Sequence, residues 1–125
     1  TLAIQQKGRM RMLAVATRLL SKLPPTCEAF EVPFDGDPEH LLPPASAALR
    51  RVDGGHGVLV LTDLYGATPS NLAARLSRLG TPVRRVSALS LPMLLRVMNY
   101  ADLELSELPA VAAAGSRNGV IHDDA

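Results

Sequence analysis

The sequence predicts an α/β domain, a mostly parallel, doubly wound sheet flanked by helices. Three observations carry that prediction. Short apolar runs alternate with segments of helical periodicity along the 125 residues. The run Val58–Leu61 is apolar and partly β-branched, and it is closed by Asp63 and a turn glycine, which suits a strand covered on both faces. Hydrophobic residues make up 47% of the chain but aromatic residues only 3%, so the core is built from Leu, Val and Ala, as in helix-on-sheet layers.

In chain order, Thr1–Ile4 reads as the end of a first strand. A helix over Arg9–Leu23 follows, with Met12, Leu13, Ala16, Leu19, Leu20 and Leu23 along one side and Pro24-Pro25 as its stop. Ala29–Pro33 is a strand with Phe30 and Val32 on one face, and Asp35-Gly36-Asp37-Pro38 is turn chemistry. The next helix spans Pro38–Arg51, and Pro43-Pro44 is expected to break or kink it, leaving a short first turn and a better helix from Pro44. Asp53-Gly54-Gly55 is a loop into the central strand. Thr68 is a good N-cap with Pro69 at the first helical position; Leu72, Ala73, Leu76 and Leu79 recur at helical spacing, and Gly80 stops the helix. Pro82–Leu89 is a strand, Pro92–Met98 a short helix, and Leu103–Ala114 a last helix with Pro109 in or near its first turn. Val120-Ile121 closes the series as an edge strand. There is no internal repeat, linker or low-complexity tract, so the chain reads as one domain over residues 1–125.

The formal net charge is +1, which argues against a dedicated nucleic-acid or membrane-surface protein. Lys7, Arg9, Arg11, Arg18 and Lys22 make the first segment basic, either as a solvated helix face or as a docking face for an acidic partner. Cys27 is the single cysteine and reads as a small apolar residue, in keeping with a reducing compartment. No stretch has the length of a transmembrane helix and the start is no secretory signal, so a soluble, cytoplasmic protein is expected. There is no Gly-x-Gly-x-x-Gly after a strand and no P-loop, which leaves a nucleotide or flavin cofactor unsupported, and the histidines and the cysteine lack metal-ligand spacing.

The most informative stretch is Asp63-Leu64-Tyr65-Gly66-Ala67-Thr68-Pro69-Ser70-Asn71, a carboxylate at a strand end beside a helix N-terminus, where open α/β sheets bind ligands and free N–H groups favour anions. It resembles the Asp-x-x-Gly-Gly-Ser/Thr-Pro-x-Asn signature of the mannose/fructose-type enzyme IIA domains of the bacterial sugar phosphotransferase system. Ser90-Leu91-Pro92-Met93-Leu94-Leu95 resembles that family's Asn-Leu-Pro-Met-Leu segment, and Ala114-Gly115-Ser116-Arg117-Asn118-Gly119-Val120-Ile121 its Gly-Gly-x-x-Gly-Ile ending.

The resemblance implies the same α/β class and a dimer in which the C-terminal strand pairs in a partner's sheet. It also implies a phosphoryl carrier that takes phosphate from HPr on a histidine at the end of the first strand and passes it to a IIB domain or protein. A neutral imidazole nitrogen is a competent nucleophile near neutral pH, and a carboxylate on the other ring nitrogen fixes its tautomer. By the resemblance Asp63 is that orienting carboxylate; on position alone it could be a turn aspartate. Thr68 matches the pocket hydroxyl, besides capping its helix. Gly66 allows close backbone approach, and Ala67 stands in place of the usual second glycine. Tyr65 belongs to the pocket rim or to plain surface, and Asn71 is expected to satisfy loop carbonyls rather than touch phosphate.

The histidine itself departs from the pattern. Aligning the first helix through Val15, Ala16, Leu19 and Leu20 sets Gln5 or Gln6 at its position, and glutamine cannot act as the nucleophile. His40 falls in the proline-interrupted helix, His56 in the loop entering the central strand at the end opposite Asp63, and His122 in the tail before Asp123 and Asp124. The alternative is therefore an enzyme IIA-like regulatory or binding module without the acceptor.

Overall fold

The computed structural model describes residues 1–6, 12–20, 27–33, 35–64 and 66–123. Four parallel strands, β1 (Leu2–Gln6), β2 (Glu28–Val32), β3 (Val58–Thr62) and β4 (Val83–Val86), lie in the order β2-β1-β3-β4. β1 pairs β2 with Leu2 opposite Glu28 and pairs β3 with Leu2 opposite Val60, while β3 pairs β4 with Val58 opposite Val83. Five helices cover the sheet: α1 (Met12–Leu20), α2 (Pro38–Val52), α3 (Thr68–Leu76), α4 (Leu91–Asn99) and α5 (Leu108–Asn118). The expected class, a mostly parallel sheet between helical layers, is the observed one.

Period-two alternation splits the central strands between two cores. Leu2, Ile4, Val58 and Val60 face α2 and α3, where Ala45, Leu49, Leu72 and Leu76 are buried. Ala3, Leu59 and Leu61 face α1, α4 and α5, where Ala16, Met93, Leu94, Val97 and Ala112 are buried. All of β3 is inside, as its continuous apolar run requires, and each fully buried Leu or Val there contributes about 1.5–3 kcal/mol.

Several boundaries move for identifiable reasons. Pro43 and Pro44 do not break α2, which runs unbroken over Pro38–Val52. Both prolines are exposed, and the carbonyls they leave unbonded lie near the solvated helix start; Asp37 caps that start by accepting from the Glu39 N–H at 3.0 Å, and Ala45, Ala48, Leu49 and Val52 anchor the rest in the core. α3 ends at Leu76 rather than at Gly80, so Leu79 lies outside the helix and is exposed. On α1, Ala16 is buried and Leu13 and Leu20 are packed, but Leu19 faces solvent; Lys7, Arg9, Arg11, Lys22, Leu23 and the Pro24-Pro25 stop lie outside the described residues. α5 begins at Leu108 rather than Leu103, because Pro109 is tolerated in a first turn but would clash with an earlier helical carbonyl. Val120 and Ile121 form no strand in the single chain and are 77% and 79% exposed. No helix among the described residues is long and apolar enough to cross a membrane.

Candidate functional site at the β1/β3 switch point

From β1 the chain leaves by α1 on one face toward β2, whereas from β3 it leaves by α3 on the other face toward β4. Two connections therefore leave neighbouring strands on opposite faces, and a crevice opens at the carboxyl ends of β1 and β3. Asp63 stands there. Its Oδ2 accepts a hydrogen bond from the Gln6 backbone N–H at 3.0 Å and its Oδ1 one from the Leu64 N–H at 2.9 Å. The carboxylate is half-buried and reachable from solvent. Gln6, one of the two residues at the acceptor position implied by the resemblance, is thus brought against Asp63 by its backbone; Gln5 is buried in β1 at 4% exposure.

The loop after Asp63 turns on Gly66, whose φ of 87° is a left-handed conformation that glycine adopts freely. Thr68 is not the helix cap. Ala67 occupies the cap position and no side chain among the described residues caps the helix, because α3 takes Thr68 into its first turn with Pro69. A backbone start without a side-chain cap keeps the positive end of α3 turned toward the crevice. The Asn71 Nδ2 donates to the Gly66 carbonyl at 3.5 Å, a long bond that ties loop to helix. Tyr65 lies outside the described residues.

Neither His56 nor His40 joins this site. His56 sits in the loop entering β3, at the opposite end of the sheet. His40 is in the first turn of α2, solvent-exposed, with Nδ1 3.8 Å from Asp37. His122 is in the exposed C-terminal segment. Burial pushes the Cys27 thiol up, as fits its reading as a small apolar residue packed beside the α1 core. No group of three or more His, Cys, Asp or Glu among the described residues is placed to hold a metal ion.

Sequence reasoning missed the polar frame behind the crevice. The Leu89 N–H donates to the Thr62 carbonyl at 2.9 Å, stitching the end of β4 to the end of β3. Ser90 caps α4 by accepting from the Met93 N–H at 3.2 Å, and its hydroxyl lies 2.5 Å from that of Ser116, which also donates to the Ala88 carbonyl at 3.2 Å. The second and third motifs are therefore one hydrogen-bonded unit. Ala88 adopts φ 66°, costing about 1–2 kcal/mol for a residue with a Cβ. The third motif is helical as far as Asn118, beyond the expected end at Ala114: Gly115 and Gly119 allow α5 to close on α4, since a Cβ on Gly115 would sit 3.0 Å from the Met93 Cα and one on Gly119 2.5 Å from the Pro92 Cβ. The serine spacing from Ser90 to Ser116 carries no local signal that could have shown this pairing.

A family model described as PTS system fructose IIA component matches residues 11–114. Among solved structures, the mannose/sorbose specific IIA subunit of the phosphotransferase system from Enterococcus faecalis superposes with a TM-score of 0.83 at 22% identity, covering 100% of this chain and 95% of its own. The phosphotransferase system component EIIA from Streptococcus agalactiae gives 0.79 at 19% identity, with 97% and 94% covered. A sigma-54 interaction domain protein from Enterococcus faecalis gives 0.74 at 15% identity, with 94% and 90% covered. No curated protein matches the chain in sequence.

Proposed function

Since the chain belongs to the PTS system fructose IIA component family, we propose that it works in the phosphoryl relay of a sugar phosphotransferase system. It meets HPr on one side and a IIB domain or protein on the other, at the β1/β3 switch point, in the cytoplasm. The observation that carries this reading is the half-buried carboxylate of Asp63, held across the crevice by the Gln6 N–H and flanked by the uncapped start of α3. In the chemistry the family implies, such a carboxylate holds an imidazole in one tautomer and stabilises the cation that forms as the nitrogen takes the phosphoryl group. Helix N–H groups and the Thr68 hydroxyl would receive the phosphoryl oxygens.

Gln5 and Gln6 at the end of β1 favour a second reading. An amide nitrogen is delocalised and no nucleophile, so the pocket would then bind HPr or IIB and sense them without carrying phosphate. The same fold in a protein named for a sigma-54 interaction domain is in keeping with a regulatory use. Intact-protein mass after incubation with phosphoenolpyruvate, enzyme I and HPr separates the two. Gain of one acid-labile phosphoryl group supports the carrier. No gain, together with gain by a Gln5→His or Gln6→His variant, supports the module that kept the pocket and lacks the acceptor; no gain by any of them removes the switch-point pocket from phosphoryl transfer.

The exposed Val120 and Ile121 support a homodimer in which this segment adds to a partner's sheet. Light scattering across the micromolar range is expected to give twice the chain mass, and a monomeric mass throughout counts against the exchange.

A further inference from the structure

We propose, resting on the relay reading above, that Asp63 is itself the phosphoacceptor of this chain and takes the phosphoryl group from a phosphohistidine on the donor protein as an acyl phosphate. An acceptor must be a nucleophile at neutral pH, and the end of β1 offers none, since Gln5 and Gln6 carry amides there. His56 lies at the opposite end of the sheet, and His40 opens α2 after the edge strand β2, two strands away from β3. The Thr68 hydroxyl would need a base to take its proton. A carboxylate enters as an anion without a base, and it is one of the side chains that form covalent phosphoryl intermediates.

Asp63 is placed for that role. Its Oδ2 accepts from the Gln6 N–H at 3.0 Å and its Oδ1 from the Leu64 N–H at 2.9 Å, so two backbone groups fix the plane of the carboxylate. Each oxygen has two lone pairs and keeps one for attack. No salt bridge among the described residues engages the group, and it is reachable from solvent. Leu64, the next residue, is 61% exposed and offers an incoming protein an apolar contact beside the nucleophile. The first turn of α3 follows, with Thr68 in it and no side chain among the described residues capping it, so N–H groups remain for the phosphoryl oxygens. The step is a displacement at phosphorus. One Asp63 oxygen forms the O–P bond as the P–N bond of the phosphohistidine breaks. The bonding pair goes to the nitrogen, and the ring, protonated on its other nitrogen, leaves as neutral imidazole. Nothing is oxidised or reduced, and the acyl phosphate is in turn a phosphoryl donor, as a relay requires.

The test is intact-protein mass of the full chain after incubation with phosphoenolpyruvate, enzyme I and HPr, followed by alkali on one portion and borohydride on another. An acyl phosphate is lost in alkali and is reduced by borohydride to an alcohol, whereas a phosphohistidine survives alkali. Gain of one phosphoryl group is expected, lost in alkali, with the borohydride reduction mapping by peptide analysis to Asp63. Asp63→Asn, its fold checked by circular dichroism, should lose the gain completely, and Thr68→Ala should slow it several-fold. The borohydride map of the native chain decides the matter even if a variant misfolds. A gain that survives alkali, or one that persists in Asp63→Asn, would put the group on another residue, His122 included, and overturn the proposal while the relay reading stands. No gain by the native chain would overturn this acceptor and the carrier reading together.

Discussion

At the carboxyl ends of β1 and β3 the polar groups face outward: Asp63 is half-buried, its partners are two backbone N–H groups, and the adjoining helix starts without a side-chain cap. In the α4–α5 pair the polar groups turn inward. Ser90 and Ser116 bond to each other, to the Met93 N–H and to the Ala88 carbonyl, while Gly115 brings helix backbones together. Both regions carry a motif of the same family signature, yet one is disposed for chemistry and the other for support. A matched motif thus marks a constraint on the chain, and only the contacts of its residues tell whether the constraint is packing or reaction.

Substitutions can break this contrast in graded steps. The largest stability effect is expected for Gly115→Val. A Cβ there already meets the Met93 Cα, the Arg96 Cβ and the Pro92 carbonyl at 3.0–3.1 Å, so a branched side chain must force the helices apart, costing about 1–3 kcal/mol in urea unfolding. A loss well below that range would mean that α5 is free to shift and does not brace the site. Ser116→Ala comes next, at about 1 kcal/mol, because it removes two hydrogen bonds from a half-exposed group. An unchanged unfolding midpoint would remove the serine pair from the frame. The smallest stability effect, under about 1 kcal/mol, is expected for Asp63→Asn, since the amide oxygen can still accept one of the two backbone bonds. Its effect on function should be the largest of the three: phosphoryl transfer, or association with HPr where no transfer occurs, should fall at least about tenfold, equivalent to about 1.4 kcal/mol. Unchanged transfer and association would show that Asp63 belongs with the supporting residues, and the contrast between the regions would collapse.

Much of the fold was legible because it rests on local rules. Val58–Leu61 announced a strand buried on both faces, a helix was expected from Pro38 after the Asp35–Pro38 turn, and Pro109 limits where α5 can begin. The errors fall where tertiary packing outweighs local preference. Pro43 and Pro44 would break an isolated helix, but the buried Ala45, Leu49 and Val52 hold α2 together across them. Thr68 has the side chain of a cap, yet the backbone places Ala67 there. Leu19 and Leu79 continue an apolar stripe in the sequence but reach past the sheet they were expected to cover.

The candidate site divides in the same way. The sequence by itself determined that a carboxylate, a turn glycine and a helix start follow the central strand, because strand length, glycine and proline act through nearest neighbours. It also determined that no histidine stands at the end of β1. Only the tertiary structure decided that Gln6 and Asp63, 57 residues apart, share a hydrogen bond, and that Ser90 and Ser116 lock two motifs together. Such contacts depend on strand order and register, which arise from how two apolar cores close around the sheet, and no local pattern in the chain encodes them.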